Sequence, residues 1–460
     1  MNLLYNKLIA VLFDDSKFYK NLLKIALPIM IQNFIASSLN MVDTMMIGKI
    51  GETQIAAVGI ANQYFFFFNL IIIGMFSGCS IFISQFWGKK DCDNIRRVLG
   101  LGLLSGCIIS IIFTIVALAI PNKIISLFNK DLIVIEQGVE YLRIVSMSYI
   151  FTAITFNYSF ASRSIEKVLL PMIVSSIALL SNTFLNYIFI FGNFGMPSMG
   201  VKGAAIATLI SRIIEMILLI GLIYYKRGIL SATFKKMFDF NKIFIKTVYK
   251  TVVPVVLNEG CWGAGFVVYS IVYGRIGTQA MAAVQICNTI HNLFMVIIFS
   301  MASSSVVMIG NKIGAGEEEE AKIYAKKLLI VGCLVGFLIS ILLYNMSSYI
   351  LSFFNVSDTV TYYCLMMIYT ICAILVIRVF NILLVVGILR GGGDSKYSLC
   401  IEAFTMWIIG VPIAFLGAFV FKLPVHYVYA LVTIEEIVKF IIGYMRLKSD
   451  RWIKNIVKHV

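Results

Sequence analysis

Twelve apolar stretches follow one another through the 460 residues, near 22–47, 57–83, 98–120, 139–160, 170–191, 203–225, 250–273, 282–309, 328–349, 361–387, 398–421 and 424–445. Each is long enough to cross a bilayer as a helix, which takes about 20 residues. Hydrocarbon offers no partner to a free amide or carbonyl, so stretches of this kind must satisfy their backbones internally as helices. What remains is a set of short connections with no room for a large domain folded in water. Only 13% of residues are charged, against about a quarter in soluble globules. The expected fold is therefore an all-α polytopic membrane protein with twelve transmembrane helices.

Charge orients the helices. Of the 38 Lys and Arg, 28 fall on one set of alternate connections and tails, seven on the other, and Arg212, Arg378 and Lys439 fall within spans. Basic loops stay in the cytoplasm, which places both termini and the long basic connection there, in a multi-pass protein of the cell membrane. The isoelectric point of 9.3 fits loops facing anionic headgroups better than nucleic acid. Residues 1–21 lack a long apolar core and carry Asp14 and Asp15, so they read as a retained segment and not a cleaved signal. Nine scattered cysteines without a CxxC pair, and three histidines, argue against a disulfide framework or zinc site.

The chain also repeats. A shift of 226 residues without a gap sets Pro254 on Pro28, Gly274 on Gly48, Ile276 on Ile50, Gly277 on Gly51, Ala282-Ala283-Val284 on Ala56-Ala57-Val58, Asn288 on Asn62 and Gly314 on Gly88. This divides the chain into a cytoplasmic segment 1–21, a six-helix lobe 22–225, a basic linker 226–249, a second six-helix lobe 250–445 and a tail 446–460. An even number of spans per half makes the repeat parallel, with a central cleft between lobes, as in some secondary transporters.

A charge at a span centre costs about 2.5–3.5 kcal/mol on insertion scales, so each one needs a reason. Asp43 closes a polar stripe on the first span with Gln32, Asn33, Ser37, Asn40 and Thr44, and the fifth span presents Ser175, Asn182 and Asn186 on one face. Together these read as a coupling-ion site; the alternative is a carboxylate anchoring the span near the interface. Glu259 lies about 12 Å into the seventh span, beside Asn258 and on an arc with Trp262, Phe266, Tyr269 and Tyr273. A desolvated carboxylate there can exchange a proton, and one ringed by aromatic faces suits an organic cation; the alternative is a structural hydrogen bond. Arg378 has no local acid and is expected to pair across the bundle, with Glu259 as a candidate. Arg212 with Glu215, and Glu435 or Glu436 with Lys439, are spaced to neutralise each other within one helix. Glu402 is placed to reach the cytoplasmic interface, and His291 reads as an interior histidine. The run Tyr64 to Phe68 reads as core or lipid-facing, Pro28 and Pro254 as kinks, and Glu317 to Glu320 as a helix start.

The segments Ala26-Leu27-Pro28 through Met41-Val42-Asp43-Thr44, Pro254 through Asn258-Glu259 and Trp262, Ile190-Phe191-Gly192, Gly200-Val201-Lys202-Gly203-Ala204-Ala205 and Leu389-Arg390-Gly391 resemble the multidrug and toxic compound extrusion family over residues 20 to 450. The resemblance implies a twelve-helix, two-lobe antiporter that exports cationic, often aromatic compounds in exchange for Na+ or H+. It implies further that Asp43 is the first-helix acid of proton or sodium coupling, with Asn182 beside it and Asn186 where some members carry a second aspartate. Glu259 matches a seventh-helix glutamate whose helix-ten partner acid is replaced here by the Arg378, Val379, Asn381 neighbourhood. A two-carboxylate sodium site is then not expected in the second lobe, and Glu259 with Asn381 would serve protons or substrate. The expected partners are organic cations and the lipid bilayer, with no nucleic acid, no catalytic activity and no cofactor beyond the coupling ion, in a protein acting as a monomer. A flippase for lipid-linked saccharides is the rival within the same superfamily; it would need a wide basic cleft, for which Arg378 is the main candidate.

Overall fold

A computed structural model describes residues 16–354 and 356–458, with the side chains of Leu39 and Asn40 excepted. The segment 1–15 and the last two residues, together with Asn40 as a candidate site side chain, lie outside the described residues. Among the described residues the protein is helical and has no strand.

Among the described residues ten helices are long and apolar enough to cross a membrane: α1 (Ser16–Gly48), α2 (Glu52–Lys89), α3 (Cys92–Ala119), α6 (Leu169–Phe191), α7 (Gly200–Tyr225), α8 (Lys242–Ile276), α9 (Thr278–Gly314), α10 (Glu318–Leu351), α11 (Asp358–Leu389) and α12 (Ser395–Val420). The fourth expected span is a pair, α4 (Leu132–Ser146) and α5 (Tyr149–Ser164), bent by 47°. The twelfth is also a pair, α13 (Val425–Val432) and α14 (Ile434–Lys448). The continuous apolar stretches in the sequence hide both breaks, because hydropathy registers depth and not the direction of the backbone.

The bend between α4 and α5 has a local cause. Ser146 and Ser148 turn their hydroxyls back onto the carbonyls of Arg143 and Val145, at 3.1 and 2.6 Å, and such back-bonding competes with the helical ladder. The Thr114 hydroxyl on α3 then donates to the Ser146 carbonyl at 2.8 Å, which covers one acceptor that the break sets free. In the second half the Ser340 hydroxyl donates to the Cys372 carbonyl, also at 2.8 Å. Both residues of that bond are displaced by 226 from their counterparts, so the repeat extends to individual hydrogen bonds. It also extends to backbone angles: Gly51 opens α2 at φ 163°, ψ 169°, and Gly277 opens α9 at φ 155°, ψ 167°.

Two compact units result. The first holds Pro28–Val252; the second holds Val253–Val460 together with the start of the chain up to Leu27. The division falls beside Pro28 and Pro254 and not in the basic linker. Helices α1 and α8 continue through these prolines, each changing unit there. The start of α1 belongs to the second unit, where Phe18 meets Tyr324 edge-on at 5.0 Å and lies under the Lys327 ammonium. The start of α8 belongs to the first, where the Tyr249 hydroxyl is 2.5 Å from that of Ser105. The basic linker is docked on the first unit: Arg97 pairs with Asp239 at 2.7 Å, and Arg96 donates to the Ile229 carbonyl at 3.1 Å.

Each unit has its own apolar interior. In the first, Phe68 is fully buried and stacks on Tyr149 at 4.6 Å, while Phe67 in the same aromatic run is exposed. In the second, the core gathers Val272, Val284, Ile368 and Val428 from α8, α9, α11 and α13. The acidic run opens α10 at Glu318, as the helix dipole favours.

The tail is folded down onto the second unit. Trp452 is buried, and its ring and carbonyl lie against Gly392, where a Cβ would overlap both. The Lys454 amide donates to the Gly392 carbonyl at 2.7 Å, and buried Asp394 accepts from Arg446 at 2.8 Å and Lys454 at 2.5 Å.

Candidate functional site

In the first unit the helical period brings an acid and two amides together. Asn182 and Asn186, one turn apart on α6, are fully buried. The Asn186 amide donates to the Asp43 carboxylate at 2.5 Å and to the Asn182 carbonyl oxygen at 3.0 Å, and Asn182 donates to the Ser211 hydroxyl at 3.3 Å. The Asn186 oxygen is buried without a hydrogen-bond partner, which leaves an acceptor beside Asp43 for a proton donor or a cation. Ser175, expected beside Asp43, instead donates to Glu215 at 3.0 Å and accepts from Gln32 at 3.1 Å. Glu215 pairs with Arg212 at 2.8 Å, one helical turn before it, as their spacing predicts.

A second feature of this unit was not legible in the loops. Arg163, counted among the loop cations, turns inward and donates to the Gln32 oxygen at 2.6 and 3.1 Å. The second unit repeats the pair. Arg390, also read as a loop cation, is only 2% exposed and donates to the Asn258 oxygen at 2.5 Å. Gln32 and Asn258 are 226 apart, and Arg163 and Arg390 are 227 apart, so each unit ties an amide on its first long helix to a guanidinium at the end of its fourth span. The second unit adds Glu259, where the first has Asn33: Arg390 pairs with Glu259 at 2.7 Å.

The expected partnerships of Glu259 are therefore corrected. Neither Arg378 nor Asn381 meets it. Arg378 pairs with Glu436 at 3.1 Å and approaches His291 at 3.3 Å, and Asn381 donates to the Glu436 carboxylate at 2.8 Å. Nor does Lys439 form an ion pair with the acids of its own helix; its ammonium bonds Glu402 on α12 at 3.0 Å. Glu402 is accordingly buried and does not reach an interface. Tyr269 donates to Glu435 at 2.7 Å, and Trp262 stacks on Phe266 at 6.1 Å. The local spacing rule fails on α14 because a charge in a dry interior takes the strongest partner on any neighbouring helix. The missed signal was the count: two adjacent glutamates against one lysine cannot cancel within a helix.

The MatE family model matches residues 28–188 and 261–416, one stretch in each half. The chain belongs to the MatE family. This is the multidrug and toxic compound extrusion family that the motifs resembled, and the protein is a multi-pass membrane transporter. Relatives include a probable multidrug resistance protein NorM of Pasteurella multocida, 27% identical over 86% of this chain and 85% of its own length. Another is the uncharacterized transporter YisQ of Bacillus subtilis, 24% identical over 94% and 95%. Among solved structures, the outward-facing conformation of a multidrug resistance MATE family transporter of the MOP superfamily superposes with a TM-score of 0.86 at 19% identity, covering 96% of this chain and 98% of that one.

Proposed function

We propose that the protein is a secondary active antiporter of the cell membrane that exports cationic or aromatic organic compounds in exchange for Na+ or H+, by alternating access. The supporting observation is Asp43: a carboxylate on a membrane helix, fixed by the buried amide of Asn186 with a free acceptor at its side. Such a group can exchange a bound cation in a low-dielectric setting, where the exchange changes the local charge and so the preferred packing. Asn182 and Ser211 extend the hydrogen-bonded chain behind it and hold the amide in place.

The reading is tested in proteoliposomes loaded with a fluorescent aromatic cation, with Na+ and pH gradients imposed separately. Uphill efflux driven by one of the two names the coupling ion. Efflux driven by neither gradient, together with protection of a lipid-linked saccharide from an external enzyme, would replace antiport with lipid flipping.

A further inference from the structure

The buried charges around the first turns of α14 do not balance. Around α14 stand three carboxylates, Glu402, Glu435 and Glu436, and two fixed cations, Arg378 and Lys439. Two of the acids are committed: Glu436 accepts from Arg378 and Asn381, and Glu402 from Lys439. Glu435, only 4% exposed, accepts from the Tyr269 hydroxyl, and among the described residues no Lys or Arg lies within ion-pair distance of it. The first unit, in contrast, sets Asp43 and Glu215 against Arg163 and Arg212, and Glu259 is answered by Arg390.

An uncompensated charge in a dry interior is neutralised sooner than tolerated. From the excess of one carboxylate, we propose that Glu435 is a second proton-exchanging carboxylate of this transporter, in the second unit. Protonation forms one O–H bond at a Glu435 oxygen with a proton from water and breaks no other bond in the protein. Its role in the transport cycle rests on the antiport reading; its binding of a proton does not.

Three observations support exchange over permanent protonation. The groups around Glu435 are of both signs: the Tyr269 hydroxyl on α8, Lys439 on α14 and Arg378 on α11 stand against Glu436 on α14 and Glu402 on α12. Tyr273 on α8 faces the same acid, and Tyr429 on α13 and His291 on α9 reach it through Arg378. The site is also built. Gly410 ends a π-helical turn at Thr405–Gly410, and a Cβ there would overlap both the Tyr269 oxygen and the Glu435 carboxylate; such turns gather at functional sites. Beside Glu436, the Asn381 oxygen is buried without a partner, an acceptor for a proton donor in the cluster. Finally, Tyr269 is the 226 counterpart of Asp43, so the same position of the repeat serves an ion-exchanging acid in both units, as the acid itself in one and as its hydrogen-bond donor in the other.

The test counts protons without transport. Full-length protein in unbuffered detergent solution is titrated from mildly alkaline to mildly acidic pH, and the protons taken up per chain are compared for wild type, Glu435→Gln and Asp43→Asn. Glu435→Gln is expected to take up about one proton fewer than wild type, and the loss should add to that of Asp43→Asn. An unchanged count in folded Glu435→Gln overturns the proposal. Should that variant not fold, Tyr269→Phe and Gly410→Ala decide: a displaced uptake midpoint with the count retained supports the assignment, and an unmoved titration in both overturns it. Efflux from wild type driven by neither gradient would sink the antiport reading while leaving this count standing.

Discussion

Replacing Asp43 with asparagine is expected to stop ion-driven efflux in proteoliposomes, down to the leak of protein-free vesicles, while the protein still inserts and stays folded. Asparagine keeps the volume and can still accept from the Asn186 amide, which donates to Asp43 at 2.5 Å, but it cannot exchange a proton and offers no charge to Na+. The driving force it forfeits is substantial. One monovalent cation entering down 100 mV releases about 2.3 kcal/mol, and one pH unit adds about 1.4 kcal/mol. Acting together on a neutral solute, these would support roughly a several-hundred-fold gradient, and less for a cation leaving against the field. Undiminished uphill efflux in Asp43→Asn would remove Asp43 from the coupling step.

The largest structural effect is expected at Arg390. Arg390→Ala leaves the Glu259 carboxylate and the Asn258 oxygen without the guanidinium that now donates to both. Breaking a buried ion pair from one side costs about 3–5 kcal/mol, so the detergent-solubilised variant should unfold at a distinctly lower temperature than wild type. Adding Glu259→Gln to Arg390→Ala should restore part of the loss, because the stranded charge goes with it, and this double-mutant cycle isolates the pair. Equal stability of Arg390→Ala and wild type would show that the pair is held by water and not by its neighbours.

The architecture was largely open to reading because a bilayer leaves few choices. Apolar length set the spans, and the 226 shift set the repeat, down to Thr114 and Ser340, whose hydroxyls cap equivalent carbonyls. The Asp43, Asn182, Asn186 group was legible for the same reason: one turn of α6 puts both amides on one face, and Asn186 meets Asp43 as placed. The charges of the second unit were not. Arg390 stands at the junction of an apolar run and a glycine-rich turn, where a loop cation and a buried one look alike. Glu435, Glu436 and Lys439 carry spacing that permits pairing along one helix, and only the packing of α11 and α12 against α14 decides that Glu436 and Lys439 pair outward. Local periodicity carries no information about which distant helix arrives at a given depth.

The tail folded under the second unit has a practical consequence. Of the four tryptophans in the chain, Trp452 is sealed against Gly392, whereas Trp262 and Trp407 are more than a third exposed. Its indole is thus an intrinsic fluorophore in a dry niche. Loss of the Asp394 clasp would let an aqueous quencher reach it and turn its emission toward the red, so the colour of one residue reports whether that end of the molecule is fastened or open.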